Sequence, residues 1–123
     1  YWKSWSICAM NLDYTPTATN LPRDVYPVLI ENYKVLIFNG DVDACVPMDD
    51  NQAWTSGMGY PVAQPWHAWM VDEQVAGYAT SYTTQGSGSF AFITVKGAGH
   101  MVPQFKPVQA LAMMQRFISN TPF

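Results

Sequence analysis

Charge and long apolar runs are both scarce in this 123-residue chain. Charged residues make up 12% of it, against about 25% in typical soluble domains. The six basic residues are scattered and the net charge is −3, so no basic stripe is available for a nucleic acid. No apolar run approaches the ~20 residues that cross a bilayer. Because 49% of the residues are nonetheless hydrophobic, we expect the partner to be a second polypeptide, and neither nucleic acid nor membrane.

Cysteine is equally scarce. Cys8 and Cys45 are the only two, and they lie far apart without the CxxC spacing of a metal or redox site. We therefore predict no metal and no cofactor. The sequence begins at Tyr1 and shows no basic segment followed by an apolar signal core, which favours a processed product whose targeting segment lies elsewhere.

The order of apolar patterns and turn residues predicts an α/β fold. Residues 1–20 have no sustained periodicity and are predicted to form an extended arm, while 21–123 carry the sheet and helices. The apolar run 35–38 is typical of a parallel strand covered on both faces, and 86–89 is predicted to be a flexible hairpin tip. The predicted elements are a helix at 23–32 capped by Asp24, a strand at 33–38, a helix at 48–54, a strand at 65–71, an antiparallel hairpin of 78–83 with 90–96, and a helix from Pro107 whose apolar face includes Ala110, Leu111, Met114, Phe117 and Ile118.

Two turns that follow strands carry residues suited to acid-base chemistry. Asp41 and Asp43 follow the first strand, and His100 follows the last strand within Gly97-Ala98-Gly99-His100. An aspartate that accepts the imidazole N–H fixes the histidine tautomer and stabilises the imidazolium formed during proton transfer. The alternative is that the aspartates bond their own backbone and the histidine is an ordinary loop residue. Because the carboxyl ends of such strands favour ligand sites, the two turns together predict a catalytic pair.

A nucleophile is not evident. None of the serines lies in the Gly-x-Ser-x-Gly turn that carries the nucleophile in α/β-hydrolases. The nucleophile must therefore lie on another chain, or there is none.

From about Tyr33 to its C-terminus, the chain resembles the C-terminal part of the serine carboxypeptidases, the family of cathepsin A and the yeast vacuolar and plant enzymes. The resemblance implies the C-terminal portion of an α/β-hydrolase fold, completed by a separate large chain that carries the catalytic serine. It also implies removal of C-terminal amino acids from peptides and proteins, with Asp43 as the triad acid, His100 as the base and Asp41 as a residue that shapes the turn. The matching stretches are VLIFNGDVDACVP, the Trp66-x-x-Trp69 pair, VAGY at 75–78 and ITVKGAGHMVPQFKPVQAL at 93–111.

The resemblance assigns roles to three further residues. Met101 would line the substrate pocket for the leaving residue, with plain packing as the alternative. Cys45 would lie near the substrate site, and we interpret it as a small buried thiol. Cys8 would form the interchain disulfide to the large N-terminal chain of the same precursor.

The same resemblance implies zymogen processing, a dimer of two-chain units, and a lysosomal, vacuolar or secreted location. Three alternatives remain open at this stage: a hydroxynitrile lyase, an acyltransferase, and a non-catalytic protective role in a lysosomal complex.

Overall fold

A computed structural model describes residues 13–15 and 20–123 of the chain. Most of the predicted arm, including Cys8, lies outside these residues. Helices precede, separate and follow the strands, and together they form a mixed α/β structure, which confirms the predicted class. The elements are α1 (Leu21–Asp24), α2 (Tyr26–Asn32), β1 (Lys34–Gly40), α3 (Met48–Gly57), β2 (Val62–Val71), β3 (Gln74–Tyr82), β4 (Ser89–Val95), α4 (Val102–Phe105) and α5 (Pro107–Ser119).

The four strands form one mixed sheet in the order β1-β4-β3-β2. β1 pairs with β4 in parallel, from Lys34 opposite Ser89 to Gly40 opposite Val95. β3 pairs with both β2 and β4 in antiparallel fashion, which confirms the predicted hairpin of β3 and β4. Because β1 and β4 run in the same direction and end in register, the loops that follow them leave the sheet side by side.

Helices cover both faces of the sheet. On one face, Trp69, Ile93 and Val95 pack with Met113 of α5. On the other face, Phe90 and Phe92 pack with Ile30 of α2 and, at the periphery, with side chains of α3. Burial of aromatic and branched side chains on both faces is the main source of stability for such a layered sheet.

The first strand is less covered than its sequence predicts. β1 lies at the edge of the sheet, and its central residues are only partly buried, with Phe38 41% exposed. The apolar run 35–38 is thus a parallel strand, as predicted, but this chain alone does not cover it on both faces. An edge strand with apolar side chains is a surface on which further chain can pair.

The last helix also differs from its predicted orientation. Ala110 and Met113 are buried against the sheet, whereas Leu111, Met114 and Ile118 are exposed. The predicted apolar face was therefore wrong in these three members, because α5 has two apolar sides and its period alone does not say which of them meets the sheet.

Three local features depart from prediction. The helix expected at 23–32 is interrupted at Val25, and its cap is Asn20, whose side chain accepts a hydrogen bond from the Arg23 amide, rather than Asp24. β2 and β3 form an unpredicted hairpin through Asp72 and Glu73, which both have positive φ. The short helix α4 was also not predicted.

The glycine-rich tip between β3 and β4 is docked and not a flexible loop. The Gly88 amide donates to the Glu31 carbonyl at 3.1 Å, and the Gly86 amide donates to the Glu31 carboxylate. A Cβ at Gly88 would lie 2.0 Å from the Ile30 carbonyl oxygen, so the glycine permits a close approach to the end of α2. The tip therefore joins the sheet to this helix.

Within the described part of the chain, no helix is long and apolar enough to cross a membrane.

Candidate active site

Asp43 lies in the loop after β1 with its side chain only 4% exposed. Its Oδ1 accepts hydrogen bonds from the backbone amides of Cys45, at 2.8 Å, and Val46, at 3.1 Å. These local bonds are the ones foreseen by the alternative interpretation of the aspartates. They occupy one carboxylate oxygen and leave the other available.

The second oxygen of Asp43 meets His100. The distance from His100 Nδ1 to Asp43 Oδ2 is 2.9 Å, across 57 positions of sequence. Because an ionised carboxylate can only accept, Nδ1 must be the donor, and in the neutral ring Nε2 is then left with its lone pair. The His100 side chain is 56% exposed, so the ring is held at one nitrogen and accessible from outside.

Burial and hydrogen bonding shift the pKa of Asp43 in opposite directions. Burial raises its pKa, but the hydrogen bond from His100 and those from the amides of Val46 and Cys45 lower it more, so that the net pKa lies below the ordinary value. Asp43 is therefore an ionised acceptor at any pH near neutrality. An ionised, largely buried carboxylate is suited to orient a histidine and to stabilise its protonated form.

The two loops are also joined by their backbones. The Asp41 amide donates to the Val95 carbonyl at 3.2 Å, and the Val42 amide donates to the Ala98 carbonyl at 3.1 Å. Gly40 permits this close approach of the two backbone segments, because a Cβ there would lie 2.1 Å from the Ala98 carbonyl oxygen. The parallel ladder of β1 and β4 thus continues beyond the strands and sets the distance between Asp43 and His100.

Replacement of Gly40 by alanine is expected to push these loops apart. The added methyl group would overlap backbone atoms of the His100 loop, and such overpacking costs about 1–3 kcal/mol of the free energy of unfolding. Urea denaturation of the whole protein measures this loss, and a decrease in turnover should accompany it. Gly57→Ala is the matched control, because a Cβ at Gly57, in the last turn of α3, would contact nothing within 4 Å. Equal stability of the two variants would contradict this account of Gly40.

Hydrogen bonds between two asparagine side chains connect the Asp43 loop to α3. The sequence did not predict this network. Asn39 is buried at the end of β1 and donates from Nδ2 to the Val46 carbonyl at 2.8 Å. Asn51 of α3 donates to Asn39 Oδ1 at 2.6 Å, and the Trp54 indole N–H donates to Asn51 Oδ1. The signal available in the sequence was an asparagine at the end of an otherwise apolar strand, a position where a buried amide needs partners.

Four other residues were predicted to belong to the site or its loops: Met101, Cys45, Asp41 and Cys8. Met101 follows His100 in the sequence and is 41% exposed as the N-cap residue of α4. Cys45 is an exposed free thiol, so its predicted burial is wrong: the loop amide of Cys45 turns inward to Asp43 while the residue lies on the surface of this chain. Asp41 accepts from the Gly97 amide. Cys8 lies outside the described residues.

No three side chains of His, Cys, Asp or Glu come together as metal ligands within residues 13–15 and 20–123.

Comparison with known proteins points in a single direction. A family model described as serine carboxypeptidase matches residues 1–120. "Serine carboxypeptidase-like 21" of Arabidopsis thaliana is 37% identical over 117 residues, which is 95% of this chain and 23% of the relative. "Serine carboxypeptidase 1" of Hordeum vulgare is 34% identical over the same shares, and "Serine carboxypeptidase-like 7" of Arabidopsis thaliana is 41% identical over 93 residues, 76% of this chain and 20% of the relative. The chain thus spans between a fifth and about a quarter of the length of the relatives it matches.

Proposed function

This chain belongs to the serine carboxypeptidase family, and we propose that it supplies the acid and the base of a Ser-Asp-His triad that removes C-terminal amino acids from peptides and proteins. Asp43 is the acid and His100 is the base. The 2.9 Å hydrogen bond between them supports this proposal most directly, because it leaves the opposite ring nitrogen available for proton transfer. Membership of the family supports carboxypeptidase-type activity and a hydrolase class.

The proposed reaction is acyl transfer in two steps. His100 Nε2 takes the hydroxyl proton of a serine as the serine oxygen attacks the last peptide carbonyl, and it then gives that proton to the leaving amine as the C–N bond breaks. A water molecule, deprotonated by the same nitrogen, next attacks the acyl carbon; the ester C–O bond breaks, the serine oxygen takes the proton back from His100, and the shortened peptide leaves. Asp43 holds the ring in one tautomer throughout and stabilises its positive form.

The serine and the oxyanion donors are proposed to lie on a separate large N-terminal chain of the same precursor. Three observations support a covering partner. The chain lacks a Gly-x-Ser-x-Gly turn, it spans about a quarter of its relatives, and apolar side chains are exposed around His100, namely Val42, Val46, Met101 and Phe105. Monomeric soluble proteins rarely expose large apolar patches, so these exposed apolar side chains favour a covering partner.

Two more surfaces fit the same partner. β1 is an edge strand with partly exposed apolar side chains, so a strand of the large chain can pair with it and extend the sheet to the α/β-hydrolase arrangement. The exposed side of α5, formed by Leu111, Met114 and Ile118, has the helical spacing of a buried face. We propose that the large chain covers both surfaces and that the Cys8 disulfide holds it in place.

Within the assembled site, Met101 is proposed to line the pocket for the departing residue. It follows His100 directly and is exposed in this chain, so a substrate residue can contact its flexible apolar side chain. Cys45, two positions after Asp43, is proposed to lie at the rim of the same pocket. The location we propose is the lysosome or vacuole, or the exterior of the cell, and the dimer of two-chain units remains a prediction.

The proposal is tested on the whole protein with a fluorophosphonate, which reacts covalently with activated serines. We expect labelling of one serine outside residues 1–123, together with release of single amino acids from a peptide with a free C-terminus and little release from the same peptide amidated at its C-terminus. Labelling of a serine within this chain would contradict the split triad. Acyl transfer to an alcohol or cleavage of a cyanohydrin, without release of amino acids, would instead favour the acyltransferase or the lyase.

A further inference from the structure

We propose that Asp41 is a positioning residue for His100, acting through the backbone of the histidine loop; this inference rests on the proposed function. Asp41 is exposed, and its Oδ1 accepts a hydrogen bond of 2.6 Å from the Gly97 amide, 56 positions away in the sequence. The sequence suggested only a residue that shapes its own turn. The observed bond instead joins two loops: the acid loop, which follows β1 and carries Asp41 and Asp43, and the histidine loop, which follows β4 and carries Gly97 and His100.

The bond acts where the histidine loop leaves the sheet. β4 ends at Val95, and Gly97 has a φ of +69°, a conformation that glycine adopts without the steric cost borne by other residues. His100 follows three positions later. The direction in which the chain leaves Gly97 therefore determines where the imidazole lies relative to Asp43.

Backbone bonds hold the turn on both sides of Gly97, while the Gly97 amide itself is bonded by a side chain. The Ala98 amide donates to the Val95 carbonyl at 3.3 Å, and the Lys96 amide donates to the Ala76 carbonyl at 2.8 Å. The Asp41 and Val42 amides donate to Val95 and Ala98, so the acid loop holds the carbonyl on each side of Gly97. The Gly97 amide points back to the acid loop, where the carboxylate of Asp41 accepts its hydrogen bond. Without that acceptor, the amide must turn to solvent, and rotation at a glycine meets little steric resistance.

Asp41 and Asp43 thus have separate tasks on one turn. Asp43 is largely buried and bonds the imidazole itself. Asp41 is exposed, and its carboxylate bonds the backbone of the opposite loop. Because the task of Asp41 needs an acceptor oxygen and not a charge, asparagine can perform it, whereas alanine cannot.

The test compares Asp41→Ala and Asp41→Asn in the whole enzyme with a peptide substrate. Since small displacements of catalytic groups cost up to about 100-fold in rate, we expect Asp41→Ala to lower kcat roughly 10- to 100-fold with KM within about twofold. Asp41→Asn should restore most of kcat. Hydrogen exchange in the peptide that contains Gly97 should be faster in Asp41→Ala than in Asp41→Asn. Asp49→Ala is the matched control, because Asp49 is an exposed acid in the first turn of α3.

Three outcomes would overturn the inference: wild-type kcat in Asp41→Ala, equal impairment of the alanine and asparagine variants, or a loss of activity that only follows a loss of folded protein in thermal melts. His100→Ala, measured alongside, separates this failure from failure of the proposed function. If His100→Ala is inactive and Asp41→Ala is fully active, only the role of Asp41 is wrong. If His100→Ala is itself active, the proposed triad is wrong and the role of Asp41 falls with it.

Discussion

Replacement of His100 by alanine is expected to lower kcat of the assembled enzyme by about 10⁴-fold or more, while KM stays close to that of the wild type. The ring nitrogen that faces away from Asp43 is the proposed proton carrier in both steps. In the alanine variant water would have to accept the proton, and water is a much weaker base than an imidazole held at 2.9 Å from its orienting carboxylate. Peptide hydrolysis under saturating substrate measures the loss. Labelling by a fluorophosphonate should slow in parallel, because the serine loses its base.

The fold should survive this change. The His100 side chain is 56% exposed, and the other oxygen of Asp43 keeps its bonds to the amides of Cys45 and Val46. The matched control is His67→Ala, since His67 is the only other histidine of the chain and lies on β2, at the opposite edge of the sheet from β1. A His100→Ala enzyme that folds and retains its turnover would contradict the proposed role of His100. The His67→Ala control should retain wild-type turnover.

The parts of the fold that sequence reasoning could predict are those encoded by neighbouring residues. The apolar run 35–38 and the glycines before His100 specify a strand and a turn locally. The end of the first strand was wrong by two residues, because Asn39 and Gly40 stay paired with β4. Asp43 and His100 could be paired because two strands that run in parallel end at the same edge, so their following turns converge.

Other features depend on contacts between distant residues, and these were missed. The glycine-rich tip has the composition of a flexible linker, yet it is docked because Gly86 and Gly88 fit against Glu31 and its neighbours in α2. The turn at Asp72 and Glu73 lacks the glycine that usually marks a tight hairpin. Nothing in the sequence links Asn39 to Asn51, because the partner of a buried amide is fixed only by tertiary packing.

The exposed positions on α5 and the Cys45 loop have a common explanation. Leu111, Met114 and Ile118 are apolar at helical spacing and exposed, and Cys45 was expected to be buried and is exposed. In both cases the residue type or the helical spacing predicts a buried side chain, and the side chain is exposed in this chain alone. A chain that spans a quarter of its relatives is expected to show such mismatches at every surface that the proposed large chain covers.

Replacement of Asp43 by asparagine is expected to lower kcat by about 10⁴-fold, although the side chain keeps nearly the same shape. The asparagine oxygen can still accept from the loop amides of Cys45 and Val46. Its NH₂ group then faces His100 Nδ1 and requires an acceptor there, which places the ring proton on Nε2, the nitrogen that must take the proton of serine. The enzyme would thus hold its histidine in the wrong tautomer, and steady-state kinetics at neutral pH should show the loss in kcat with KM little changed.

The same variant tests the charge of Asp43 through the dependence of stability on pH. The pKa of Asp43 is lowered in the folded state, so ionisation favours folding: this stabilisation is fully present above the unfolded value of about 3.9 and is lost as the pH falls through the lowered folded pKa. Below about pH 5, the difference in free energy of unfolding between wild type and Asp43→Asn should therefore change against the wild type as the pH falls. Urea denaturation of both proteins between pH 7 and pH 3 measures it. A difference that shifts in favour of the wild type below about pH 5 would mean that the Asp43 pKa is raised, and that burial outweighs the hydrogen bond to His100.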